Sequence, residues 1–163
     1  MLIRSLDPAA DRSRVDAVFA GCADHVRLER GTGPGPYVTE EFFSDTPPGC
    51  DPATNLRLGL FDDTGLIGIA DLAFSFPTAN DGNIGLMMIT PAQRGTGTGV
   101  VLLRHLEAAA RARACSALCL GVLDANPKGR AFWQRKGFMP KLVKGSLTLG
   151  QITHIAHRLG KPL

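Results

Sequence analysis

Acidic residues are scarce in the second part of this 163-residue chain: residues 94–163 hold 2, Glu107 and Asp124, against 12 Lys and Arg. Residues 1–93 reverse the balance with 13 acids and 6 bases, so the net charge of +3 conceals a −7 part and a +10 part. The division predicts two surfaces of opposite sign; two unrelated solvated faces are the other reading. Aromatics are few, 6% with one Trp and one Tyr, and no basic stretch alternates with stacking residues. That argues against a nucleic-acid partner. The 4 cysteines, Cys22, Cys50, Cys115 and Cys119, form no CxxC and do not group with the histidines. They argue against a metal site or a disulfide framework and for thiols in a reducing cytoplasm, with Cys115 and Cys119 packed among Ala and Leu. No apolar run approaches the roughly 20 residues that span a bilayer, and Met1–Pro8 lacks the apolar core of a signal peptide. The expectation is one domain, 1–163, without a membrane partner.

The chain divides near residue 55. Leu2–Leu6 reads as a short strand and Asp11–Ala20 as a helix, with Val15, Val18 and Phe19 at helical spacing. Residues 21–55 are rich in Gly and Pro, so they read as a long binding loop or lid carrying short helical pieces at Asp24–Arg30 and Thr39–Phe43. Beyond it the pattern becomes regular. Leu56–Phe61, Leu66–Phe76 and Ile84–Ile89, separated by the turns 62–65 and 80–83, predict an antiparallel meander that Pro91 ends. Gly99–Ala114 reads as a helix with an apolar stripe of Leu102, Leu103, Leu106, Ala109 and Ala110. Glu107 and Arg111 are spaced to support it as an i,i+4 pair. Leu118–Leu123 reads as a buried strand. Asn126 and Pro127 open a helix that stops at Gly137, and the strands Lys141–Leu149 and Gln151–Leu159 close the chain. This order specifies an α/β (α+β) fold on a mixed, mostly antiparallel sheet.

The segment Arg94-Gly95-Thr96-Gly97-Thr98-Gly99 joins a strand to a helix. Three glycines there let a ligand approach the main chain. The first amides of the helix lack intrahelical partners at its positive end, so the turn suits an anion, most naturally phosphate, with Arg94 as a nearby cation. A flexible connecting loop is the simpler alternative. Two nucleotide motifs fail: no Lys follows the glycines as in GxxxxGK[ST], and Val100 or Leu102 stands where GxGxxG needs its last glycine.

What the turn does fit is the R/Q-x-x-G-x-G/A pattern of the GNAT superfamily, the acyl-CoA-dependent N-acetyltransferases. Ile84–Pro91 resembles that family's fourth strand. Asn126-Pro127-Lys128-Gly129-Arg130-Ala131-Phe132-Trp133-Gln134-Arg135-Lys136-Gly137-Phe138 is similar to its N-x-x-A-x-x-(F/L)-Y-E-K-L-G-F motif. Order and spacing agree over residues 56–159, the acyl-CoA-binding core, while 1–55 corresponds to the family's variable acceptor-side region.

The resemblance implies a sheet with helices on both faces and a splayed strand pair that takes the pantetheine arm of acetyl-CoA. Main-chain groups of Met87 and Ile89 would hold that arm. The amides of Gly95, Thr96, Gly97, Thr98 and Gly99, with Arg94, would hold the pyrophosphate, and Asn126 would contact the cofactor or simply cap its helix. The implied reaction is direct attack of a primary amine, of a small molecule or peptide, on the thioester. An amine of pKa about 10.4 must first lose a proton. Asp71, an acid in an apolar strand, is the candidate base or acceptor-binding group; a salt bridge or a solvent-facing position is the alternative. Trp133 stands where the family often has the Tyr that protonates the thiolate, and an indole cannot give up a proton at neutral pH. The lone Tyr37 is a loop aromatic that can fold over the site. Six acids against two bases in residues 24–51 suggest a cationic acceptor. The helix and last hairpin of such folds can form homodimers. A non-catalytic acyl-CoA-binding or sensing module is the alternative function.

Overall fold

The structure, a computed structural model, describes the backbone of residues 1–163 and every side chain except that of Lys144. Its strands are β1 (Leu2–Ser5), β2 (Leu56–Asp62), β3 (Gly65–Phe74), β4 (Asp81–Ile89), β5 (Ala117–Leu123), β6 (Met139–Leu149) and β7 (Ile152–Pro162). Its helices are α1 (Arg12–Gly21), α2 (Ala23–Arg30), α3 (Pro36–Ser44), α4 (Thr98–Ala112) and α5 (Pro127–Arg135). The strands form one sheet in the order β1-β2-β3-β4-β5-β7-β6. Only β4 and β5 are parallel, joined by α4 as a crossover.

Two cores lie on opposite faces of this sheet. On the α4 face, Leu102, Leu103, Leu106 and Ala110 pack on Leu58, Leu60, Ala70 and Leu72, with Trp133 and Phe138 completing the cluster. Leu102 and Leu106 are fully buried, and burial of such a side chain stabilises by about 1.5–3 kcal/mol. On the α1 face, Val15, Val18, Phe19, Val26, Val38 and Phe42 of α1–α3 meet Ile69 and Met88. Helices therefore cover both faces, as the resemblance implied.

Several local expectations change. The helical pieces expected at Asp24–Arg30 and Thr39–Phe43 are present as α2 and α3 and extend further, with Gly31 as a left-handed C-cap and Pro36 as an N1 residue. The expected turn at residues 80–83 contributes Asp81–Asn83 to β4, which pair with β3 or β5 on either side. α4 ends at Ala112, two residues short of the expected limit, with Ala114 left-handed at φ 56°. Glu107 bonds Lys161 of β7 at 2.6 Å rather than supporting α4 through Arg111. The four cysteines are free; Cys22 and Cys119 are buried. No helix among the described residues is long and apolar enough to cross a membrane.

Candidate active site

The parallel pairing of β4 with β5 runs only from Asp81↔Ala117 to Ile84↔Leu120. Beyond it β4 continues to Ile89 and β5 to Leu123 with no register between them, so the sheet opens into a gap. On the β4 side, Thr90 N–H donates to Ile67 O beside the pair Gly68↔Ile89. That pair is therefore of the non-hydrogen-bonded kind, and by alternation the main-chain groups of Ile89 and Met87 point away from β3 into the gap. One of them is already engaged: Ile89 O accepts from Arg94 Nε at 3.1 Å and from Cys22 Sγ at 3.6 Å. The Ile89 N–H and both groups of Met87 face the gap without a strand partner.

At the mouth of the gap the chain passes through a short 3₁₀ turn, Pro91–Gln93, into the glycine turn and α4. Gly95 and Gly97 have φ of 80° and 92°, and nothing lies within 4 Å of where their Cβ atoms would be. The glycines thus serve conformation and access together. The main-chain N–H groups of residues 95–99 find no acceptor among the described residues. Five such amides at the positive end of a 15-residue helix form a cradle for an anion. The threonines brace the turn from within: Thr96 Oγ1 donates to Gln93 O at 2.8 Å, and it lies 2.8 Å from Thr98 Oγ1. Thr98 is buried, so it offers the cradle its amide and not its hydroxyl. Arg94 makes a two-pronged pair with Asp24 of α2, at 2.6 and 3.2 Å.

Across the gap, Asn126 Oδ1 accepts from Gly129 N at 2.9 Å and caps α5. A Cβ at residue 129 would sit 2.5 Å from Asn126 Nδ2, so glycine there lets the side chain fold over the helix. Trp133 is buried, with its ring edge-on to Phe132 and Phe138 at 5.0 and 5.1 Å. It belongs to the α4-face core, and no proton donor occupies its position.

Asp71 sits on the α1 face of β3, opposite the point where β4 carries an extra residue. The register steps from Asp71↔Leu86 to Leu72↔Ile84, leaving Gly85 as a bulge. The bulge turns Gly85 N toward Asp71 Oδ1, at 2.8 Å. Burial pushes the Asp71 carboxyl up to about 6 against the pull of the Arg57 charge and of the Gly85 and Leu86 amides. Arg57, beside it in register, is held by the carbonyls of Phe42 and Asp45 at the end of α3. Gly85 itself is exposed and Asp71 half-buried. A strand glycine is the sequence sign of such a bulge, and Gly85 within Ile84–Ile89 is that sign here.

The acids of residues 24–51 are mostly engaged inside the protein. Asp24 pairs with Arg94, Glu29 with His25, Glu40 with Arg12 and Glu41 with Arg30, while Asp51 accepts from Ala53 N. Their number alone therefore no longer speaks for a cationic acceptor. Tyr37 lies on α3 with its ring near Arg30. A cavity of about 260 Å³ between α1 and α3, lined by Asp16, Phe19, Pro36 and Thr39 among others, includes none of the gap residues. Among the described residues no cluster of His, Cys, Asp and Glu is arranged to hold a metal ion.

A mixed sheet opened at its one parallel pair, with free main-chain amides at the mouth, defines the class of fold: an α/β domain with a splayed strand pair. Residues 24–138 match the model of the Acetyltransferase (GNAT) family, and the chain belongs to that family. Solved structures agree in fold. An acetyltransferase from Thermus thermophilus superposes with a TM-score of 0.81 at 20% identity, covering 100% of this chain and 98% of the other. The PaiA N-acetyltransferase of Thermoplasma acidophilum, solved in complex with coenzyme A, gives 0.73 at 19% identity, with 99% and 98% covered. The ribosomal-protein-S18-alanine N-acetyltransferase of Escherichia coli gives 0.69 at 16% identity, with 99% and 92% covered. No curated protein matches the chain in sequence.

Proposed function

We propose that this protein transfers an acetyl group from acetyl-CoA to a primary amine, with Asp71 as the proton acceptor. One observation carries the reading: five main-chain amides without acceptors among the described residues stand at the mouth of the gap, with the raised Asp71 carboxyl on the strand next to its β4 edge. The amides of residues 95–99 suit the pyrophosphate, and the gap-facing groups of Met87 with the Ile89 N–H suit the amide-bearing arm. Bound there, acetyl-CoA supplies a thioester carbonyl open to attack. The ammonium gives one proton to Asp71, the freed nitrogen bonds the carbonyl carbon, the C–S bond breaks, and the second nitrogen proton passes to solvent as the thiolate leaves. A carboxyl near 6 is mostly ionised at pH 7 and so is ready to accept the first proton. The thiol has a pKa near 8.5, so it leaves as thiolate without an acid at Trp133.

The core position of Trp133 favours a second reading, an acyl-CoA-binding module without turnover. A thermal-shift screen with acetyl-CoA, succinyl-CoA, NAD and ATP, followed by thiol release with an amine panel, separates the two. A shift specific to CoA esters with amine-dependent thiol release supports transfer. A shift without release supports the binding module, and no shift overturns both.

A further inference from the structure

We infer that the acceptor amine also carries a carboxylate, which Arg158 of β7 binds on the α1 face of the sheet. This rests on the transferase reading above and names its substrate class. The register places Arg57, Asp71 and Gly85 on one side of the gap, level with Gly121 and Arg158 on the other. Arg57 pairs with Asp71 and Asp71 with Leu86 next to Gly85, Ile84 pairs with Leu120, and Gly121 pairs with Arg158. Leu120 and Leu159 lie in the α4-face core, so Gly121 and Arg158, one position away on each strand, face the side that Asp71 faces.

Between the two charged residues stand Gly85 and Gly121, both exposed. Nothing lies within 4 Å of where a Gly121 Cβ would be, so the floor between Asp71 and Arg158 is open. Two paired strand steps, β3 to β4 and β5 to β7, and the opening between β4 and β5 separate them at the backbone. The reach of an arginine side chain brings that separation within the span of an amino acid or a dipeptide. The amine end would meet Asp71 and the acid end Arg158.

Arg158 is also prepared for a ligand. It is half-buried and forms no ion pair among the described residues. Its guanidinium lies 5.3 Å from the centre of the Phe76 ring, which holds the planar fork on one side and leaves its edge free. α2 covers the neighbouring stretch of β7, where His154 is buried 2.7 Å from Glu29 O, and Ala156 is buried too. Arg158 follows on the same face, where that cover ends. The stem of Lys141 crosses Gly160, two residues further along the same face, and adds a second cation that forms no ion pair among the described residues. Asp81 of β4 is the acid whose charge reaches the same Cys119 as theirs, but it accepts from Thr78 Oγ1 and forms no ion pair with either cation among the described residues, while Glu107 pairs with Lys161, and Asp124 with Arg130 and His157.

The test is thiol release from acetyl-CoA with the free L-amino acids and glycylglycine, their carboxamides, and putrescine. The acids should show kcat/KM about tenfold or more above their carboxamides, the size of one charge-assisted hydrogen bond. Arg158→Gln should raise KM for the acids by a similar factor and bring the acid-to-carboxamide ratio near one, while Arg158→Lys keeps part of the preference. Melting curves of both variants confirm that they fold. Carboxamides or putrescine used as well as the acids, or a ratio that Arg158→Gln leaves in place, overturns the inference and leaves the transferase reading standing. Binding of acetyl-CoA without transfer to any member of the panel overturns both.

Discussion

Replacing Gly85 by alanine tests the coupling between the β4 bulge and Asp71. The backbone permits it, since Gly85 is not among the glycines with positive φ. The added Cβ would stand 2.4 Å from Asp71 Oδ1 and 3.0 Å from Oδ2, so the carboxyl must swing aside. Only a side-chain end has to move, and the fold should survive. The displaced carboxyl loses its 2.8 Å bond from Gly85 N. A hydrogen bond to a charged group contributes about 1.5–3 kcal/mol, and 1.36 kcal/mol corresponds to about one pKa unit. The Asp71 carboxyl should therefore rise by about one to two units, from about 6 toward about 7–8. At pH 7 the ionised fraction would fall from about nine-tenths to between about a half and a tenth.

The readout is the pH profile of kcat/KM. The wild type should lose activity below an inflection near pH 6, and Gly85→Ala should move that inflection upward with most of the rate recovered by pH 9. The same protonation appears in stability. An Asp with a folded value of about 6 and an unfolded value near 3.9 binds the proton more tightly when folded, so stability falls as pH rises from about 4 to about 6. The fall is about 3 kcal/mol, and Gly85→Ala should extend it to higher pH. Asp71→Asn should abolish both effects, and in an Asp71→Ala background Gly85→Ala should be nearly silent, since the clashing atoms are gone. An unmoved kinetic inflection in Gly85→Ala would refute the coupling. An Asp71→Asn enzyme with the wild-type profile would remove Asp71 from proton transfer.

Two further outcomes follow from other ion pairs. Asp24→Asn frees Arg94 beside the amide cradle; the pair is exposed, so stability should change by less than about 1 kcal/mol, while acetyl-CoA binding should tighten by up to about fivefold in low-salt calorimetry. Unchanged or weaker binding would mean that Arg94 serves α2 and not the ligand. Asp11, buried among Arg4, Arg14 and the Asp7 amide, has its carboxyl held well below the usual range by the Arg4 hydrogen bonds. Its contribution is complete above the unfolded value near 3.9 and lost as pH falls through the folded value. Asp11→Asn should lower stability by about 2–3 kcal/mol at pH 7 and by less at pH 3, measured by urea unfolding.

What the residues announced beforehand was local. The stripe of α4, the Asn126-Pro127 start of α5 and the glycine turn each depend on neighbours within a few positions. The contacts that define the site do not. Arg94 meets Asp24 across 70 positions, Asp71 meets Gly85 through a one-residue bulge, and Arg158 comes level with Asp71 across the gap through pairing with Gly121. Each depends on strand register, and a slip of one residue would turn every side chain to the other face. Charge shows the same limit from another side. Six acids in residues 24–51 suggested a surface that attracts cations, yet five of them are engaged within the protein. In residues 94–163 both acids are engaged, and 12 bases far exceed what two carboxylates can neutralise. What can draw a ligand is therefore the remainder after internal pairing. That remainder is basic at Arg158 and Lys141, on the α1 face of the sheet, where the raw count of acids had pointed to the opposite sign.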